Sequence, residues 1–305
     1  MQPETLTLEA PAKINLFLHV VGQREDGYHL LESAFELIDW SDRIVLSGRP
    51  DGEIQRCGDM LGPPALDLAV RAASALQKTA QWQAAGRPGA SIEITKTIPA
   101  GAGLGGGSSD AASTLMGLNH LWKLGLSNRQ LSEIGLGLGA DVPFFLFGKA
   151  AFVQGIGEQL QPYESCLRWL SVVVPACHVG TAEIFAAPEL TRNSKTSRIA
   201  GFAQAARQPV WAFGRNDLQA VTAARFPQVQ QALQWLETAA ASEGIAPAAV
   251  RMSGSGGAVF CTAPDAPTAQ RLVDRVSALQ STSVGQLPLR LKVCQTLMRH
   301  PGNVL

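Results

Sequence analysis

The alternation of apolar and polar positions predicts one long strand over residues 5–21, interrupted at Ala10-Pro11-Ala12. Successive side chains of an extended chain point to opposite sides, so Lys13 and Asn15 share one face while Ile14, Leu16 and Leu18 take the other. A polar turn follows at 22–27, with Tyr28 and His29 directly after it. Residues 33–40 and 43–47 read as two strands joined at Ser41-Asp42. Residues 63–85 read as a helix with Leu66, Ala69, Val70, Ala73 and Leu76 on one apolar stripe. A half-buried strand is predicted at 90–98, then a helix over 110–124 capped by Ser108 and Ser109, then a second helix over 127–138.

The pattern changes near residues 153–157 and Gln161-Pro162, which read as a hinge between a domain of residues 1–157 and one of residues 158–305. Beyond it come a buried strand at 169–174 and a polar, basic stretch at 192–207 that reads as a loop with solvated charges. Helical segments begin at Asn216 and Pro227, and a glycine-rich corner at 252–257 leads into a strand. A helix over 268–279 and a strand over 289–296 complete an open α+β layer. The corner either closes over a ligand or is a tight bend at close backbone contact.

Composition narrows the function classes. Twenty-five basic and 25 acidic residues cancel, so no global field favours nucleic acid or a membrane surface. No apolar run approaches a membrane span, and Gln2 and Glu4 without a basic flank do not make a secretory leader. Cys57, Cys166, Cys177, Cys261 and Cys294 are scattered and odd in number, which argues against a disulfide framework or zinc site and fits a reducing cytoplasm.

The candidate chemistry centres on Pro99-Ala100-Gly101-Ala102-Gly103-Leu104-Gly105-Gly106-Gly107-Ser108-Ser109, set between the strand at 90–98 and the helix at 110–124. A backbone that wraps an anion needs positive φ angles and no Cβ between its N–H groups and the oxygens. A strand, a glycine loop and a helix start together aim N–H groups and a positive helix end at one spot, which suits a phosphate better than a flexible linker would. Gly101, Gly103 and Gly106 satisfy the dinucleotide pattern, but a helix follows where that fold needs a strand ending in an acid. No Gly-Lys-Ser/Thr closes the loop, so the Walker pattern fails too. Asp141 stands between a glycine-flanked helix end and Val142-Pro143-Phe144-Phe145, where a charge is costly unless paired. Lys13 and Asn15 belong either to a solvent-facing strand edge or to a site, and His29 is either structural or a ligand contact.

Three separated motifs, Pro11 to Leu16, Pro99 to Ser109 and Met252 to Gly257, resemble the GHMP kinase superfamily of galactokinase, homoserine kinase and mevalonate kinase. Asp26-Gly27-Tyr28-His29 and Gly139-Ala140-Asp141-Val142-Pro143 are most similar to its branch acting on a cytidine diphosphate-linked methylerythritol. The resemblance implies a two-domain α+β kinase fold with the active site in the cleft between an ATP domain and a substrate domain. It implies ATP and Mg2+ as cofactors, a small-molecule alcohol as substrate, and a monomer or weak homodimer. It makes Asp141 the catalytic base with Lys13 beside it, and gives the triphosphate to Gly101 through Ser109. Lys96 and Pro99 through Ser109 count as the ATP-binding residues, Lys96 lying near nucleotide or substrate. Tyr28 and Phe185 would sandwich the cytosine, His29 would bond its polar edge, and Asn15 and Thr181 would lie near nucleotide or substrate. Glu183 and Ser108 are the candidate magnesium ligands, and Asp110 is left a helix-start role. The alternatives are a kinase of the same superfamily acting on another alcohol and a nucleotide-binding regulator without catalysis.

Overall fold

In the computed structural model, which describes residues 4–60, 62–196, 199–283 and 287–304, the chain starts with two long paired strands, β1 (Thr5–Gln23) and β2 (His29–Arg49). The expectation of two strands meeting at Ser41-Asp42 is corrected: β2 runs through both residues. Ser41 pairs with Pro11 and Ile38 with Ala12, so a β-bulge absorbs what the sequence presents as a turn. The break foreseen at Ala10-Pro11-Ala12 lies at this same bulge.

Next come β3 (Ile54–Gly58), α1 (Leu68–Leu76), α2 (Ala80–Ala84) and β4 (Gly89–Thr95). The single helix expected over 63–85 is instead broken. Asp67 accepts from the Ala69 N–H to cap α1, Thr79 accepts from the Trp82 N–H to cap α2, and Leu66 stands exposed before both. Then follow α3 (Gly106–Leu121), α4 (Asn128–Leu136) and α5 (Val142–Phe147). Ser127 and Gln130 form a capping box on α4. The α3 cap is Gly105 in the left-handed region, not Ser108 or Ser109, which lie inside the first turn.

The segment read as a hinge forms a hairpin of β5 (Ala151–Gln154) and β6 (Gln159–Pro162), and β5 pairs with β2. The second half contains β7 (Trp169–Pro175), α6 (Thr181–Phe185), α7 (Ile199–Ala206), α8 (Gln219–Arg225) and α9 (Pro227–Ser242). It ends with β8 (Val250–Met252), β9 (Val259–Ala263), α10 (Ala266–Thr282) and β10 (Leu289–Leu297). The stretch expected as a solvated loop at 192–207 includes α7, and its Arg192 is half-buried among hydrogen bonds rather than solvated. Residues 197–198 of that stretch, like Gln2, lie outside the described residues.

One sheet runs β3-β4-β2-β10-β7-β9-β8, with β1 and the β5–β6 hairpin also attached to β2. All pairs are antiparallel except β3 with β4. Helices α1, α3 and α5 pack a core on the first half of the sheet, and α8, α9 and α10 pack another on the second half. Between them lies a third core, in which Ile14, Phe17, Ile38, Phe152, Phe202, Trp211 and Phe260 meet. No described helix is long and apolar enough to cross a membrane.

Candidate active site

β1 carries Lys13 and Asn15, and neither faces solvent: they are 3% and 1% exposed. The strand edge that would otherwise face water is covered by backbone from elsewhere in the chain. The Lys13 N–H donates to the Leu104 carbonyl at 2.9 Å, and the Leu18 N–H to the Arg215 carbonyl at 2.9 Å. The glycine loop therefore lies directly on the strand that holds the lysine.

The loop is built to leave its donors free. Its carbonyls turn back into the protein: Ala102 accepts from the Ala258 N–H, Gly103 from Ser253 Oγ and Gly105 from the Ser109 N–H, each at 2.9 Å. Among the described residues, the N–H groups of Gly103 through Ser108 take no protein acceptor. Six backbone donors at the amino end of α3 are thus left for an anion, on residues that line a cleft. Gly103, at φ +74°, has no room for a side chain, because a Cβ would stand 2.2 Å from the Ser253 carbonyl oxygen. Gly105 leaves the space that the Lys13 stem and the Phe145 ring occupy. The glycine-rich corner at 252–257 accordingly braces the loop, and its Gly254 and Ser255 also reach the cleft.

That cleft has a volume of about 520 Å³. It is lined by Lys13, Asn15, Lys96, Pro99 through Ser108, and Asp141 from the first half, and by Thr181, Phe185, Leu218, Gly254 and Ser255 from the second. Lys13 Nζ donates to Asn15 Oδ1 at 2.5 Å, stands 3.6 Å from Asp141 Oδ2, and lies 4.8 Å above the Phe35 ring. Asp141 sits at the N-cap of α5, where the helix positive end favours its charge, yet its side chain makes no capping bond. Its carboxylate is one-third exposed and open to the cleft. A buried ammonium beside an accessible carboxylate can hold an alcohol and take its proton.

Two expected residues are placed elsewhere. Ser109 is fully buried beneath the loop and its Oγ has no partner, so it does not line the cleft as expected. Asp110 is not a helix-start carboxylate. It is buried, and its Oδ2 accepts from Lys96 Nζ at 2.6 Å while its Oδ1 has no partner. Lys96 Nζ also bonds Asp42 Oδ2, so one ammonium serves two carboxylates. Desolvation, and then the Asp42 charge against the Lys96 attraction, raise Asp110 to about 7. The Lys96 ammonium is itself raised by the two acids, against its own desolvation.

Tyr28 and His29 are not among the residues that line the cleft, and His29 is tied to it through Phe185. Tyr28 is 60% exposed, and the aromatic neighbour of Phe185 is His29, with ring centroids 5.1 Å apart. Thr181 Oγ1 lies 2.7 Å from Ser255 Oγ at the cleft wall. Ser108 lines the cleft, whereas Glu183 is not among its lining residues and its carboxylate lies 3.7 Å from Arg225. Among the described residues, no three His, Cys, Asp or Glu side chains gather as a metal site.

Sequence reasoning missed several parts. Asp42, read as a turn, accepts from the Thr97 and Ile98 N–H groups at 2.5 and 2.8 Å and so fixes the approach to the glycine loop. His178 packs over Gly101, and Ser253 ties Asn15 to the loop. A side cavity of about 210 Å³ shares Lys96, Leu68 and Gly107 with the cleft and is walled by Pro63, Leu66, Arg56, Asp59, Asp67 and Asp110. Asp42 stands between Ser41 and Arg43 in a polar setting, so nothing in its local sequence signalled that it would be buried.

The GHMP kinases N terminal domain matches residues 67–149, and GHMP kinases C terminal matches residues 193–281. The 4-diphosphocytidyl-2-C-methyl-D-erythritol kinase of Cupriavidus necator is 50% identical over 276 residues, covering 90% of each chain. A crystal structure of 4-(cytidine 5'-diphospho)-2C-methyl-D-erythritol kinase is 30% identical and superposes with a TM-score of 0.75, covering 95% of this chain and 99% of that one. Homoserine kinase from Cytophaga hutchinsonii, 14% identical with a TM-score of 0.66 and coverage of 98% and 96%, shares the fold.

Proposed function

From the premise that the chain belongs to the GHMP kinase family, among its 4-diphosphocytidyl-2-C-methyl-D-erythritol kinases, we propose a division of labour for the cleft residues. The reaction is ATP-dependent phosphorylation of the 2-hydroxyl of 4-diphosphocytidyl-2-C-methyl-D-erythritol, giving the 2-phosphate and ADP. It belongs to the non-mevalonate route to isoprenoid precursors. One observation carries the assignment of roles: the Asp141 carboxylate lies 3.6 Å from Lys13 Nζ, beside a loop with six unpaired N–H donors.

The loop from Gly103 to Ser108 holds the triphosphate, with Pro99 through Ala102 shaping its entry. The nucleoside extends past Lys96 into the side cavity, whose apolar Leu66 and Leu68 suit a flat base. The substrate hydroxyl sits between Lys13 and Asp141. As its oxygen attacks the γ-phosphorus, Asp141 accepts the proton and Lys13 stabilises charge on the transferring group. Asn15 orients Lys13, and Thr181 lines the substrate side. Phe185 and Tyr28 enclose the cytosine, while His29 bonds the base edge.

Magnesium fits this donor set because it prefers oxygen ligands and keeps waters and substrate phosphates among them, so few protein ligands are needed. The Ser108 hydroxyl is the residue that would hold it, and the ion would neutralise the phosphate oxygens. Glu183, turned to Arg225, is not assigned this role. The division near residue 157 is supported by family matches on either side of it, and a cytoplasmic location by five cysteines that form no disulfide.

The test is ADP release with Mg-ATP, comparing 4-diphosphocytidyl-2-C-methyl-D-erythritol with the same molecule lacking its cytidine. Turnover is expected only with the cytidylated substrate. In the same assay Asp141→Asn should lose about a hundred- to ten-thousand-fold in kcat while still binding ATP. A fully active Asn variant would remove Asp141 from the role of base.

A further inference from the structure

Between α6 and α7, the side chain of Arg192 joins both walls of the base site without entering the cleft. Its Nε donates to His29 Nε2 at 3.0 Å. Its Nη1 donates to the Leu190 carbonyl at 3.2 Å, and its Nη2 to the Phe185 and Ala187 carbonyls at 3.1 and 2.8 Å. Two of these acceptors lie at or just past the carboxyl end of α6, where helix carbonyls lack intrahelical partners and partial negative charge collects. One planar guanidinium therefore fastens the start of β2, which carries His29, to the helix end that carries Phe185.

The protonation of His29 follows from this contact. A guanidinium has five N–H donors and no acceptor, and it does not lose its proton in a protein. His29 Nε2 must therefore accept with its lone pair, so the ring is neutral and its only proton is on Nδ1. Burial of the ring and the adjacent Arg192 charge both hold the imidazole below its ordinary pKa, in agreement with the geometry. Cytosine offers acceptors at O2 and N3, and a neutral Nδ1–H is a donor for such an atom. A histidine in the other tautomer would present a lone pair to the same acceptors and repel them.

We propose that Arg192 is a positioning residue for nucleobase recognition: it fixes His29 as a neutral Nδ1–H donor and holds that ring against Phe185. The proposal rests on the reading that His29 and Phe185 receive the cytosine. Its substrate-side consequence is selective, because Arg192 contacts neither the glycine loop nor Asp141.

The experiment pairs steady-state kinetics with nitrogen-15 NMR of the His29 ring in wild type, Arg192→Ala, Arg192→Lys and His29→Ala. Wild type should show protonated Nδ1 and unprotonated Nε2, and Arg192→Ala should lose that single-tautomer signature. Loss of an oriented hydrogen bond should raise the KM for the cytidylated substrate about ten-fold in Arg192→Ala, with kcat and the ATP KM within about two-fold. Arg192→Lys, which keeps the charge but not the planar fork, should fall nearer to Ala than to wild type. A wild-type ring protonated on Nε2 would overturn the proposal. So would a raised substrate KM in His29→Ala with none in Arg192→Ala. An unchanged KM in His29→Ala would instead overturn the placement of the base itself.

Discussion

At Lys96, one ammonium faces two carboxylates that have left water, and a single positive charge cannot neutralise both. Asp42 spends its second oxygen on the Thr97 and Ile98 N–H groups, whereas Asp110 Oδ1 has no partner. The proton therefore collects on Asp110, whose pKa rises from 3.8 to about 7. An unfolded Asp110 ionises near its ordinary value while the folded one still holds its proton, so the unfolded state binds fewer protons across that window. Its contribution to stability is thus fully present below about 3.8 and is lost as pH rises through about 7. Asp110→Asn should flatten this loss, and urea midpoints at pH 5 and pH 8 should differ less in the variant than in wild type. Equal differences in the two proteins would mean that Asp110 titrates normally.

At the scale of an element, the glycine loop works because other backbone holds its carbonyls. β1 supplies the Lys13 N–H, the 252–257 corner supplies Ser253 Oγ, and the start of β9 is preceded by the Ala258 N–H. Gly103 stands where two of these supports close in, so Gly103→Ala places a methyl against a backbone oxygen that cannot swing aside. The loop must then move by a fraction of an ångström, and kcat/KM for ATP should fall about ten- to hundred-fold. An unchanged kcat/KM in Gly103→Ala would show that the contact with Ser253 does not fix the loop. The same view explains why Gly105, and not one of the serines, caps α3. A left-handed cap turns the N–H groups outward, and a serine side-chain cap would have consumed one of them.

For the whole molecule, the relevant feature is the core shared by the two halves. Phe17 of β1 lies 6.5 Å from Trp211, nearly parallel to it, and meets Phe213 edge-on at 5.4 Å and Phe152 at 6.2 Å. Residues from both sides of position 157 therefore bury one another, and neither half keeps its inner face dry alone. Phe17→Ala should reduce stability by about 3–5 kcal/mol and lower a single unfolding transition rather than divide it. Tryptophan fluorescence and far-ultraviolet circular dichroism followed through urea would check this. Two separated midpoints would mean that the halves unfold independently.

Local information was enough for the glycine loop between a strand and a helix, the long first strand, the apolar flank of Asp141 and the α+β fold class. Each is encoded by residues adjacent in sequence: glycines that permit positive φ, alternation of period two, or a charge set in an apolar run. The family resemblance was legible for the same reason, because its motifs are short and contiguous. Elements shaped by distant partners were not. Ser41-Asp42 has the composition of a turn, but pairing with β1 makes it a bulge. Lys13 and Asn15 were compatible with a wet edge until the glycine loop and residues 215–217 covered it. Arg192 looks like any loop arginine until His29, 163 positions away, accepts its hydrogen bond. Sequence by itself determined which residues carry reactive groups and which backbone could bend around an anion. Tertiary structure alone decided which of those groups leave water and whom they face, because burial and charge pairing depend on contacts between segments that no local pattern records.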